Sequence, residues 1–70
     1  MDVQRELGRR VKSLRDARKL SQEQLAFRSG IHVTYLSGLE NGKRNPSLLV
    51  LARLAAALEI GIAGLFHEPL

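Results

Sequence analysis

The sequence contains no cysteine and no tryptophan, and it has no long apolar run. Without cysteine the chain can form neither disulfides nor thiolate metal sites, and His32 and His67 are too far apart in sequence for their spacing to indicate a metal pair. The longest apolar runs, residues 48–52 and 54–58, are five residues each, too short to cross a membrane. We therefore expect no metal, no cofactor and no membrane insertion. The charged start cannot be a signal peptide, which favours a cytoplasmic protein.

Aromatic residues make up only 4% of the chain against 44% hydrophobic residues, so the core must be aliphatic, as in a small helical bundle. Seventy residues make one domain, 1–70, near the lower size limit for folding without cross-links. The net charge of +4 favours an anionic partner, most simply nucleic acid. The eight basic residues among the first 28 are partly balanced by four acids, and we expect most of them to be solvated surface.

Apolar residues recur at helical spacing along the chain, and no segment alternates as a strand would. The first helix is predicted over Val3 to Ala17. The second is predicted to open at Gln22, because Ser21 and Gln24 form the pattern of a capping box. It should close at Gly30, which can adopt the positive φ that ends a helix.

The third helix is predicted over Val33 to Glu40 and the fourth from Leu48, with Ser47 as its cap. Between them, residues 41–42 are an Asn-Gly pair that tolerates a left-handed backbone and should end the third helix. A last helical turn is predicted at about residues 62–66. The chain is thus expected to be all-α, with five helices in one compact unit.

The most specific pattern lies at residues 22–41 and is typical of a helix-turn-helix. Ala26 is small where two helices cross, Gly30 permits an abrupt turn, and Leu36 and Leu39 share the face that packs inward. The opposite face of the third helix is then left free. It carries small and polar residues suited to a DNA major groove: Val33, Thr34, Ser37 and Gly38.

These residues resemble the lambda-repressor-like family, also called the Xre or Cro/repressor type, over almost the whole chain. The resemblance rests on residues 20–26 (LSQEQLA), Gly30, residues 35–42 (YLSGLENG), residues 44–47 (RNPS), Leu51 and Leu58. The third-helix stretch looks particularly like small regulators such as the controller proteins of restriction–modification systems. The resemblance implies a five-helix domain that binds a two-fold related DNA operator as a homodimer.

The resemblance also implies roles for individual residues. Val33, Thr34, Ser37 and Gly38 would face base edges, where Thr34 can donate a hydrogen bond and also pack on a thymine methyl group. Contacts to the phosphate backbone would come from Gln22, His32, Tyr35, Asn41, Lys43, Arg44 and Asn45. The free N–H groups in the first turn of helix two favour an anion beside Gln22 on independent grounds.

Two further features follow from the resemblance. Arg15 and Glu40 would form a partly buried ion pair that links helix one to helix three. Residues 60–70 form a candidate dimer surface, with Ile60, Ile62, Leu65 and Phe66 as contacts; alternatively, the last turn caps the monomer core. The family usually has a glycine directly after the helix-four leucine, but Glu59 follows Leu58 here, so the end of that helix is expected to differ.

The leading hypothesis is a sequence-specific transcriptional regulator whose partners are double-stranded DNA and a second copy of the chain. The alternative is an antitoxin-like or other protein-interaction module on the same fold, suggested by the apolar C-terminal turn. An enzyme and a small-molecule substrate are disfavoured, because no nucleophile, base and anion hole converge in the pattern.

Overall fold

Four α-helices and one short turn of 3-10 helix make up the part of the chain that the structure describes. The computed structural model describes residues 2–66. The helices are α1 (Val3–Ala17), α2 (Gln22–Ser29), α3 (Val33–Glu40) and α4 (Leu48–Ala57), followed by a 3-10 turn, Ile62–Leu65. The predicted all-α class and the starts of all four helices are confirmed. Instead of a fifth α-helix, the chain has this four-residue 3-10 turn, because the segment is short, follows Gly61 and contains Gly64.

Side-chain caps mark the starts of α1, α2 and α4. Ser21 Oγ accepts the Gln24 N–H at 3.0 Å, and the Gln24 side chain accepts the Ser21 N–H at 2.8 Å, which confirms the predicted capping box. Ser47 Oγ accepts the Val50 N–H at 3.2 Å in the same way. These local bonds satisfy donors that a helix start would otherwise leave unpaired.

All four α-helices end in the same backbone motif. One residue adopts a positive φ, its N–H donates three residues back and the next N–H donates five residues back, as in a Schellman motif. The left-handed residues are Lys19 (φ 56°), Gly30 (φ 71°), Gly42 (φ 76°) and Glu59 (φ 60°). The stop at Gly30 is confirmed. At the end of α4, Glu59 takes the left-handed conformation that glycine would adopt more easily.

The core is aliphatic, as the composition predicts. Its buried apolar members come from every helix, from the 3-10 turn and from the connecting segments: Leu7, Val11, Leu20, Leu25, Ala26, Leu36, Leu39, Leu54, Ala55, Leu58 and Leu65. Two charged residues, Arg15 and Glu40, are buried with them. Within residues 2–66 no helix is long and apolar enough to span a bilayer, and no cluster of three potential metal ligands is present. His67 lies outside the described residues.

Candidate nucleic-acid interface

Helix α3 packs its inner face against the core. Leu36 and Leu39 on its inner face are essentially inaccessible to solvent, at 0% and 1% exposure. The turn that leads into it is fixed by Gly30 and by the Ile31 N–H, which donates to the Ala26 carbonyl at 3.1 Å. Helix α2 and this turn therefore help to set the direction of α3.

The outer face of α3 carries the four residues predicted to face DNA bases. Val33 and Thr34 are exposed, whereas Ser37 and Gly38 are half-buried. Asn41 follows at the end of the helix, and its Nδ2 donates to the Ser37 carbonyl at 2.9 Å. The structure thus places small and polar groups side by side on the face of α3 that points away from the core.

Arg44 lies along one flank of this face. Its guanidinium carbon is 5.2 Å from the centre of the Tyr35 ring, within reach of a cation–π interaction. A Cβ atom on Gly38 would lie 3.1 Å from Arg44 Nε. Gly38 therefore leaves room for the Arg44 side chain, in addition to any close approach of DNA. The sequence did not reveal this packing, because Arg44 reaches it from the following loop.

Several other residues predicted to contact DNA phosphates lie on α3 or in the loop after it. Lys43 and Asn45 are exposed in the loop after α3, and the Lys43 N–H donates to the Gly38 carbonyl at 2.9 Å, which ties the loop to the helix. His32 is exposed at the start of α3 and makes no side-chain capping bond. Tyr35 is half-buried against the core.

A buried hydrogen-bond network joins the opposite flank of α3 to α1 and α2. Arg15 donates from Nε to Glu40 Oε2 at 2.7 Å and from Nη2 to Oε1 at 3.0 Å. Gln22 Nε2 donates to the same Oε1 at 2.9 Å. The hydrogen bonds to Glu40 raise the pKa of Arg15, against the opposing effect of burial, so the guanidinium stays charged. Gln22, predicted to contact a phosphate, is therefore oriented by Glu40.

Gly8 is a structural residue that the sequence reasoning missed. A Cβ atom there would lie 2.4 Å from the Leu39 carbonyl oxygen and 2.6 Å from that of Glu40. Only glycine allows α1 to cross the end of α3 at this distance. A glycine in the middle of an otherwise regular helical pattern costs about 1 kcal/mol relative to alanine. Its presence there is the sequence signal that indicates a close backbone contact.

The four residues of the candidate dimer surface differ in exposure. Ile62 and Phe66 are 38% and 47% exposed, and Ile60 is half-buried against the core. Leu65 is fully buried. The prediction of Leu65 as a dimer contact is wrong, because its side chain fills the monomer core and presents no surface to a partner. Residues 67–70 of the predicted surface lie outside the described residues.

Comparisons with known proteins agree with this geometry. The model of the family HTH_3, described as helix-turn-helix, matches residues 11–65, which include all of α2, α3 and α4. Control protein C.SmaI of Serratia marcescens is 44% identical over 62 residues, which are 89% of this chain and 74% of that protein. The crystal structure of the restriction-modification controller protein C.AhdI from Aeromonas hydrophila superposes with a TM-score of 0.87 at 47% identity, covering 89% of this chain and 94% of the other. The structure of SinR, a master regulator for biofilm formation, in complex with DNA superposes with a TM-score of 0.81 at 32% identity, covering 87% and 98%.

Proposed function

The chain belongs to the lambda-repressor-like helix-turn-helix family HTH_3, whose members are DNA-binding transcriptional regulators and not enzymes, and we propose that it regulates transcription by binding a two-fold related operator as a homodimer. The observation that carries the proposal is the one-sided burial of α3. Its inner leucines are inaccessible while Val33 and Thr34 remain exposed on the outer face. A helix anchored in this way can enter a major groove without unfolding any part of the domain.

In this proposal the base edges are read by Val33, Thr34, Ser37 and Gly38. Thr34 is the main reader, because it combines a hydroxyl group with a methyl group, whereas Val33 offers an apolar contact alone. Contacts to the phosphate backbone come from Gln22, His32, Tyr35, Asn41, Lys43, Arg44 and Asn45. Because only these four residues face the bases, part of the sequence preference comes from the width and bendability of the DNA.

The dimer in this proposal forms through the C-terminal part of the single domain 1–70. Two exposed apolar side chains, Ile62 and Phe66, lie there on and next to the 3-10 turn. Two protomers related by a two-fold axis would present two α3 helices to half-sites about one helical turn apart. The likeness to controller proteins supports a small regulator of the same kind.

Selection of bound DNA from a random library, followed by native mass measurement of the complex, tests the proposal. We expect an enriched inverted repeat with half-site centres about 10 base pairs apart, or a multiple of that spacing, bound by two protein chains. Enrichment of no motif would contradict DNA reading by α3. A single half-site bound by one chain would contradict the dimer but leave DNA reading intact.

A further inference from the structure

A second basic surface lies on α1, outside the residues assigned above. Arg5, Arg9 and Lys12 recur at helical spacing on one exposed face of the helix. Together with Glu40 and Asn41, these three side chains line a single open depression. The sequence alone suggested ordinary solvated charges, but the structure places these three side chains beside the end of α3.

Two close backbone approaches hold this surface in place. Gly8 allows α1 to touch the last carbonyl groups of α3, as described above. In addition, a Cβ atom on Gly42 would lie 3.0 Å from the Cα atom of Arg5, so the turn after α3 rests directly on α1. The basic face therefore cannot move independently of α3, and its distance from the reading face is fixed by packing.

The α1 surface and Arg44 lie on opposite flanks of α3. Arg44 covers the flank of Gly38, whereas the α1 depression borders Glu40. Residues two apart on an α-helix point in directions about 200° apart, so Gly38 and Glu40 face opposite sides. A helix in a major groove has one phosphate strand on each side. With α3 in the groove, the cations of the loop would face one of these strands and the cations of α1 would face the other.

The charges around the α1 surface leave it cationic. The carboxylate of Glu40 is already neutralised by Arg15. Asp16 lies 3.4 Å from Arg15, and Asp2 lies 4.0 Å from Arg5. Within residues 2–66, Arg9 and Lys12 take part in no ion pair. Their full charges are therefore available to an anionic partner.

We propose that Arg5, Arg9 and Lys12 form a second phosphate-binding surface, which contacts the DNA strand on the Glu40 side while Lys43 and Arg44 contact the strand on the other side. The inference rests on the proposed function and extends its footprint to α1. These contacts add affinity and fix register but carry no sequence information, because phosphates are the same at every base pair.

The test compares two double variants with equal charge loss. Arg9→Gln/Lys12→Gln removes cations from the α1 surface, and Arg28→Gln/Arg53→Gln removes two exposed cations from a separate groove between α2 and α4. Binding of a labelled duplex with the selected operator, and of an unrelated duplex of the same length, is measured from low to high salt. The α1 variant should lose about 0.9 in the slope of log K against log salt for each lost contact, which weakens binding roughly tenfold or more at 0.1 M salt.

Both duplexes should be weakened by the same factor, so that the ratio of specific to non-specific binding is unchanged. The charge-preserving pair Arg9→Lys/Lys12→Arg should keep the wild-type slope. If the α1 variant and the Arg28→Gln/Arg53→Gln control give the same slope while the wild-type protein binds its operator, the inference is overturned and the proposed function stands. If the wild-type protein binds neither duplex, the proposed function fails, and the inference fails with it.

Discussion

The carboxylate of Glu40 connects three helices through its two oxygens, since it accepts from Arg15 of α1 and from Gln22 of α2. The ion pair is well shielded, with side-chain exposures of 10% and 3%. A buried pair of this kind contributes little net stability, because desolvation of both charges opposes their attraction. Its effect is on geometry: it fixes how α3 and the start of α2 are presented together.

Glu40→Leu leaves the Arg15 guanidinium buried without its partner, and we expect a loss of about 3–5 kcal/mol in the free energy of unfolding. The double variant Arg15→Met/Glu40→Leu removes both charges and should be less destabilised than Glu40→Leu alone. Urea unfolding of Glu40→Leu, Arg15→Met and the double variant gives the coupling between the sites. Simple additivity of the two single losses would show that the pair is not coupled.

Thr34 and Arg44 should separate specificity from affinity. Thr34→Ala removes the proposed base contact and should cost about 1–3 kcal/mol on the selected operator while non-specific binding stays nearly unchanged. Arg44→Gln should weaken both kinds of DNA and reduce the salt dependence. Fluorescence titrations on operator and unrelated duplexes measure both. An unchanged ratio of specific to non-specific binding in Thr34→Ala would mean that a different face of the protein reads the DNA bases.

At the scale of the elements, the crossing of α1 and α3 depends on the missing side chain of Gly8. Gly8→Ala would place a methyl group against two backbone carbonyl oxygens, which cannot turn away as a side chain could. We expect a destabilisation of about 1–3 kcal/mol, measured by thermal or urea unfolding. Gly61→Ala is the matched control, because no atom lies within 4 Å of its Cβ position and its φ is −74°. Equal effects of the two substitutions would contradict a steric role for Gly8.

The end of α4 offers a stabilising substitution. Glu59 holds φ 60° at the position where helix ends favour glycine, and this conformation costs a residue with a Cβ atom about 1–2 kcal/mol. Part of the gain from Glu59→Gly is lost to the greater flexibility of the unfolded chain. We therefore expect a net stabilisation of about 0.5–1 kcal/mol in urea unfolding. Glu59→Ala removes the same charge but retains the strain; if it stabilises as much as glycine, the charge and not the backbone is responsible.

The helix boundaries could be predicted because their causes are local. Ser21 and Gln24 cap α2 through bonds three residues apart, and Gly30 ends it by its own conformation. The close approach at Gly8 could not be predicted in the same way, since the atoms it meets lie more than thirty residues later in the chain. Arg44 lies only six residues after Gly38, but its packing there depends on how the loop folds back onto α3, which local sequence signals do not specify. Glu59 departs from the family pattern in sequence, but its positive φ is visible only in the structure.

At the scale of the whole molecule, the distribution of apolar surface bears on assembly. The chain has two exposed phenylalanines, Phe27 on α2 at 88% exposure and Phe66 after the 3-10 turn at 47%. Only Phe66 belongs to the proposed dimer surface, where Ile62 is also exposed. The partial burial of Phe66 against its own protomer would limit its freedom, which reduces the entropy lost when a second copy packs on it.

If Phe66 is a central contact of the dimer, Phe66→Ser should weaken dimerisation tenfold or more, since truncation of such a contact costs about 2 kcal/mol or more and about 1.4 kcal/mol is already tenfold. Phe27→Ser makes the same chemical change outside the proposed interface and should leave the dimer intact. Sedimentation velocity over a range of protein concentrations gives the dimer dissociation constant for each variant. On the operator, Phe66→Ser should bind with a steeper dependence on protein concentration, because two protomers must then assemble on the DNA. A larger effect of Phe27→Ser on dimerisation would move the interface from the C-terminal turn to the outer face of α2.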